Sequence, residues 1–187
     1  MTAPAPEPTR RLFIGLMADP AVREAVLAWR QRWQWPPGTA LASPAHMHLT
    51  LHFLGEVAES RVGLLREAIA AVPFEPLRLH LGLPEVWPRG IAVLRPAPDA
   101  ALDRLQARLG AALRAIGFDA PACPWKPHLT LARKAVRAHP PAEPLSLDWP
   151  VHGFSLVWSR LPPQVPRATY GVLAHHGPTP WCGGQRV

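Results

Sequence analysis

The chain has 187 residues, 48% of them apolar, which suits one domain of one or two lobes with a sizeable core. A formal charge of +7, carried mostly by arginine, favours a polyanionic partner such as nucleic acid or a nucleotide. Two cysteines without a CxxC pair, Cys123 and Cys182, exclude a disulfide framework and fit a reducing compartment, and no stretch is long and apolar enough to span a bilayer.

The opening Met1–Arg10 stretch and the end from His176 to Val187 are rich in Pro, Gly and Thr and read as flexible tails around a domain at 11–175. The N-terminus has no charged segment followed by an apolar one, so the expected location is cytoplasmic. Arg11–Ala18 is apolar and bounded, a buried strand. Asp19-Pro20 then starts a helix, with Asp as N-cap and Pro in the first turn. Val22, Val26, Trp29 and Trp33 follow at helical spacing until Trp35-Pro36-Pro37-Gly38 stops them. Met47–Leu54 alternates as a strand, with Gly55 as its expected end. Leu64, Leu65, Ala68, Ile69 and Val72 form a helical stripe before Pro73. Leu77–Leu83 and Ile91–Leu94 read as strands joined by a hairpin turn at Trp87-Pro88-Arg89-Gly90. Asp99 caps a helix with its stripe at Leu102, Leu105, Leu109, Leu113 and Ile116, and Gly117 stands where a C-terminal glycine belongs. Pro127–Ala132, Leu145–Leu147, Phe154–Ser159 and Thr169–Ala174 complete the strands. Mixed order with hairpins argues α+β rather than a doubly wound parallel sheet.

One tetrapeptide, His-Leu-Thr-Leu, occurs twice, at His48–Leu51 and His128–Leu131. Each copy begins a predicted strand, and the repeat suggests two lobes facing each other. Strand alternation projects His48 with Thr50, and His128 with Thr130, while Leu49, Leu51, Leu129 and Leu131 face a core. Packing alone would specify the leucines and leave the outward positions free. Two imidazoles converging on one cleft suit phosphodiester hydrolysis, in which one takes a proton from water and the other gives one to the leaving oxygen. The threonine hydroxyls suit the non-bridging oxygens. This scheme requires no metal. A zinc site is the competing reading of His46, His48 and His52, but no carboxylate or cysteine follows at ligand spacing.

On these residues the sequence resembles the 2H phosphoesterases, and within them the RNA 2′,3′-cyclic phosphodiesterases once called 2′-5′ RNA ligases. The resemblance runs over about 10–175. It rests on Arg11-Leu12-Phe13-Ile14-Gly15-Leu16, His48–Gly55, Pro127–Arg133 and a closing strand near Tyr170-Gly171-Val172-Leu173. It implies a bilobal α+β fold, with two pseudo-twofold-related antiparallel sheets, flanking helices and a central cleft. It implies hydrolysis of a 2′,3′-cyclic phosphate at an RNA end to a 2′-phosphomonoester without metal or cofactor; the expected state is a monomer. It makes His48 and His128 the catalytic pair, with the first as acid for O3′ and the second as base, and Thr50 and Thr130 the phosphate holders. Phe53 and Arg133 are implied to cradle the terminal base, although each lies five residues after its histidine, so a bulge or strand end must re-aim it. Small cyclic nucleotides, ADP-ribose cyclic phosphate, reversible 2′-5′ ligation and a non-catalytic RNA-end-binding module are the alternatives. Lys126, Arg10, Arg11, His46 and His52 are weaker candidates for the cleft, and His175 and His176 read as tail residues.

Overall fold

The computed structural model of the chain describes residues 7–119, 124–165 and 168–178. Its elements run β1 (Thr9–Met17), α1 (Pro20–Arg30), β2 (Ala40–Leu41), β3 (His48–Ala58), α2 (Glu59–Ala70), β4 (Leu77–Trp87), β5 (Ile91–Pro96), α3 (Ala100–Ala115), β6 (Leu129–Arg133), β7 (Leu147–Val151), β8 (Phe154–Arg160) and β9 (Thr169–His176). The expected caps are in place. Asp19 accepts a hydrogen bond from the Val22 amide at 2.8 Å, and Asp99 accepts one from the Leu102 amide at 2.7 Å. Each satisfies an amide that has no partner within its helix. Gly117 follows α3 at φ +74°, a conformation that glycine adopts without a Cβ penalty.

The strands form one antiparallel sheet in the order β7-β4-β5-β6-β3-β1-β8-β9, with β2 paired to β6. The two expected sheets are its halves. β3-β1-β8-β9 and β6-β5-β4-β7 meet at a single residue pair, Leu49 with Leu129. Each half contains one strand–helix–strand unit ending on a His-Leu-Thr-Leu strand, β1-α1-β3 in one and β5-α3-β6 in the other. The four motif leucines are at most 2% exposed, in a core shared with Ile14, Leu16, Leu65, Leu109 and Trp149. Burying each such side chain is worth about 1.5–3 kcal/mol, so the motif's leucines bind the two halves into one core.

Several boundaries differ from the sequence expectation. β1 begins at Thr9, because Thr9 and Arg10 pair with Ala58 and Val57. Thr9 and Arg10, expected in the N-terminal tail, are therefore strand residues. Pro8 also accepts a hydrogen bond from the Glu59 amide, and the Glu7 carboxylate accepts one from the Ser60 amide. Gly55 does not end β3. It sits at φ +70° within an irregularity, and the strand runs on to Ala58 because the start of β1 offers it a partner. β7 lies at Leu147–Val151 rather than Leu145–Leu147, where it pairs with β4. β9 extends to His176, which pairs with Phe154, and the His175 ring nitrogen lies 3.0 Å from the Ser155 hydroxyl. His175 and His176, which read as tail residues in the sequence, are strand residues. The expected order lacked β2, whose two residues carry no strand signal of their own. Residues 1–6 and 179–187, with Cys123 and Cys182, lie outside the described residues. No helix among the described residues is long and apolar enough to cross a membrane.

Candidate active site

The two motifs meet because β3 and β6 run antiparallel and cross at Leu49 and Leu129. Continuing that register sets His48 opposite Thr130 and Thr50 opposite His128, all on the face away from the core. The four side chains line one cleft of about 990 Å³. Phe53 and Arg133 line it too, against plain alternation.

The reason is a pair of matched β-bulges. Against β1, Gly15 pairs with Thr50 but Ile14 pairs with His52, so Leu51 is an extra residue. Against β5, Val93 pairs with Thr130 but Ala92 pairs with Ala132, so Leu131 is the extra residue. In each motif the bulge falls on the last leucine. It places two consecutive side chains on the core side, Leu51-His52 in one copy and Leu131-Ala132 in the other, all at most 5% exposed. Alternation then resumes with its parity reversed, which brings Phe53 and Arg133 round to the cleft.

The two histidines are held in the same way. His48 Nδ1 lies 2.6 Å from the His46 carbonyl, and His128 Nδ1 lies 2.7 Å from the Lys126 carbonyl. A carbonyl only accepts, so each Nδ1 carries the hydrogen and each Nε2 bears the lone pair. Their surroundings differ. His48 stacks on Phe13 with 4.5 Å between ring centroids and meets Tyr170 edge-on at 5.5 Å. Burial in this aromatic box pushes its pKa down to about 4; the His46 carbonyl pulls against that shift, and nearby His128 adds to it. His128 is half-buried, with the Trp87 ring edge-on at 4.5 Å. Its pKa is also lowered, chiefly by burial, and further by the Arg133 and Arg95 cations. Both imidazoles are neutral near pH 7 in the free protein.

The remaining candidates separate. His46 lines the cleft and stacks on Tyr170 at 4.2 Å. His52 faces away from it, and its Nε2 lies 2.8 Å from the Gln106 carbonyl of α3. His46, His48 and His52 therefore do not converge as a zinc site would need. Arg11 lines the cleft with its guanidinium 4.7 Å from the centre of the Phe53 ring. Arg10 instead pairs with Glu59. Lys126 contributes the carbonyl that orients His128. Sequence reasoning did not single out Tyr170, Phe13 or Trp87 as site residues. Tyr170 is the only tyrosine in the chain, but its place beside His46 and His48 depends on β9 returning to that end of the sheet, and no local motif records that return.

The sequence profile of the 2′-5′ RNA ligase superfamily matches residues 18–161. An RNA 2′,3′-cyclic phosphodiesterase from Thermus thermophilus is 33% identical over 190 aligned positions, covering 89% of this chain and 92% of the relative. Among solved structures, E. coli LigT complexed with 3′-AMP aligns at a TM-score of 0.78 and 25% identity, covering 90% of this chain and 98% of that one. A solved structure from Thermus thermophilus aligns at a TM-score of 0.76 and 29% identity, covering 89% of this chain and 97% of that one. With a shared profile across most of its length, a shared fold and a paired-histidine cleft, the chain belongs to the 2′-5′ RNA ligase superfamily.

Proposed function

We propose that the protein hydrolyses the 2′,3′-cyclic phosphate at an RNA end to a 2′-phosphomonoester by two-histidine acid–base catalysis that needs no metal. The observation that carries this reading is the twinned orientation of His48 and His128, each tied through Nδ1 to the carbonyl two residues before it. In the reaction, one imidazole takes a proton from water as the water oxygen bonds to phosphorus. The bond from phosphorus to O3′ breaks, and the other imidazole, as imidazolium, protonates O3′. The Thr50 and Thr130 hydroxyls donate to the non-bridging oxygens, where the transition-state charge lies. Phe53 offers an aromatic face and Arg133 a guanidinium plane for the terminal base. The curated relative's name, RNA 2′,3′-cyclic phosphodiesterase, supports the same substrate class.

The test is incubation with an oligonucleotide ending in a 2′,3′-cyclic phosphate, in EDTA. The expected product has a 2′-phosphate and a 3′-hydroxyl. Turnover abolished by EDTA, or a 3′-phosphate product, would contradict the reading. His48→Ala and His128→Ala should each cost roughly 10²–10⁴-fold in kcat. The size of the cleft also admits a small cyclic nucleotide, and competition between the oligonucleotide and a cyclic mononucleotide separates the two substrates. Tight RNA-end binding without turnover would instead identify a binding module.

A further inference from the structure

Each bulge that aims a cleft wall is gripped by the helix of the opposite half. α1 belongs to the β1-α1-β3 unit, yet Arg30 in its last turn reaches β6. Its Nη1 donates to the Leu131 carbonyl at 3.2 Å and to the Ala42 carbonyl at 2.6 Å. Leu131 is the bulged residue of the second motif, and its carbonyl also accepts from the Ala42 amide at 2.9 Å. Arg30 is only 7% exposed, and among the described residues no carboxylate pairs with it. Burying a lone cation is costly, and a core-facing leucine or methionine would pack at less cost. Such a residue is explained by what its donors hold.

The first motif has the mirror arrangement. His52 directly follows the bulged Leu51, is 5% exposed and carries its hydrogen on Nε2, donating to the Gln106 carbonyl of α3 at 2.8 Å. α3 belongs to the β5-α3-β6 unit. Gly110 leaves room for the ring, since a Cβ there would lie 3.1 Å from His52 Cε1. Thus α1 braces the bulge before Arg133, and α3 braces the bulge before Phe53.

We propose that Arg30 and His52 are positioning residues: Arg30 aims Arg133 through the Leu131 bulge, and His52 aims Phe53 through the Leu51 bulge, so the two walls of the base slot are set independently. This rests on the reading of Phe53 and Arg133 as base contacts. A merely structural role would weaken the whole fold and act without regard to which wall is present. An aiming role couples each brace to one wall only.

The experiment is a set of double-mutant cycles on the full chain. It reads KM and kcat for the cyclic-phosphate oligonucleotide, and Kd for 2′-AMP by tryptophan fluorescence. Arg30→Met should raise KM and Kd roughly tenfold with a smaller change in kcat. It should add less than about twofold once Arg133 is Ala, yet keep its full effect in Phe53→Ala. His52→Leu should show the reverse pattern, and His52→Gln, which keeps a donor at the same reach, should restore binding. If Arg30→Met does not fold, Arg30→Lys carries the same cycle with the charge retained. Effects that add equally in both wall backgrounds would overturn the proposal while leaving the base slot intact. No effect of Phe53→Ala or Arg133→Ala alone would instead overturn the base slot itself.

Discussion

Hydrolysis by paired imidazoles needs one neutral and one charged ring, but the free protein holds both neutral at pH 7. His48 is lowered from 6.5 to about 4, a depression worth about 3 kcal/mol at roughly 1.36 kcal/mol per pH unit. A phosphodiester anion about 4 Å from an imidazolium returns about 4 kcal/mol at an effective dielectric near 20. The two magnitudes nearly cancel, so under the proposed mechanism a bound substrate would restore the proton that the acid must carry. Under the order implied by the family resemblance, His48 is that acid. The free protein holds the productive single proton only at acidic pH, so kcat/KM should peak below pH 6.5 and fall about tenfold per unit above its basic limb. The kcat profile, which reports the complex, should peak nearer neutrality. The assay is steady-state hydrolysis of the cyclic-phosphate oligonucleotide from pH 4.5 to 8.5, with histidine Cε1 proton NMR in parallel. The His48 resonance should titrate near the low folded value alone and move upward with 2′-AMP. A kcat/KM that rises through pH 7, or a free-protein His48 that titrates at its ordinary value, would refute the reasoning.

The same depression makes stability pH-dependent. The unfolded chain protonates His48 below about 6.5 and the folded chain only near 4, so stability is full above 6.5. It falls by up to about 1.4 kcal/mol per unit as the pH drops between those values. Denaturant midpoints across that window should show the slope, and His48→Ala should reduce it, leaving the part contributed by the other histidines that burial depresses. Thr50→Val and Thr130→Val, which keep shape but remove the hydroxyl, should each lower kcat by roughly 10²–10³ at little cost in KM. Phe53→Ala, at a side chain 44% exposed and already under Arg11, should raise KM and leave thermal stability within about 0.5 kcal/mol. Leu129→Ala, at the fully buried residue joining the two halves, should cost about 2–5 kcal/mol in denaturant unfolding.

The repeated tetrapeptide by itself singled out His48, Thr50, His128 and Thr130, the residues proposed to carry the chemistry. A strand's two-residue period separates imidazole and hydroxyl from leucine, and duplication of the pattern cannot be traced to packing. Asp19 and Asp99 marked their helix starts for an equally local reason, since a carboxylate three residues before an unpaired amide satisfies it. Only the tertiary structure decided that the motifs cross at Leu49 and Leu129, that bulges at Leu51 and Leu131 turn Phe53 and Arg133 into the cleft, and that Tyr170 closes over His48. Gly55 shows the limit most clearly: its own conformation suggests a stop, but the partner offered by Thr9–Arg11 carries the strand through it. Alternation, capping and turn chemistry act between near neighbours in the chain. Pairing register, bulges and enclosure by aromatic rings depend on strands tens of residues away, and those become neighbours only when the core has formed.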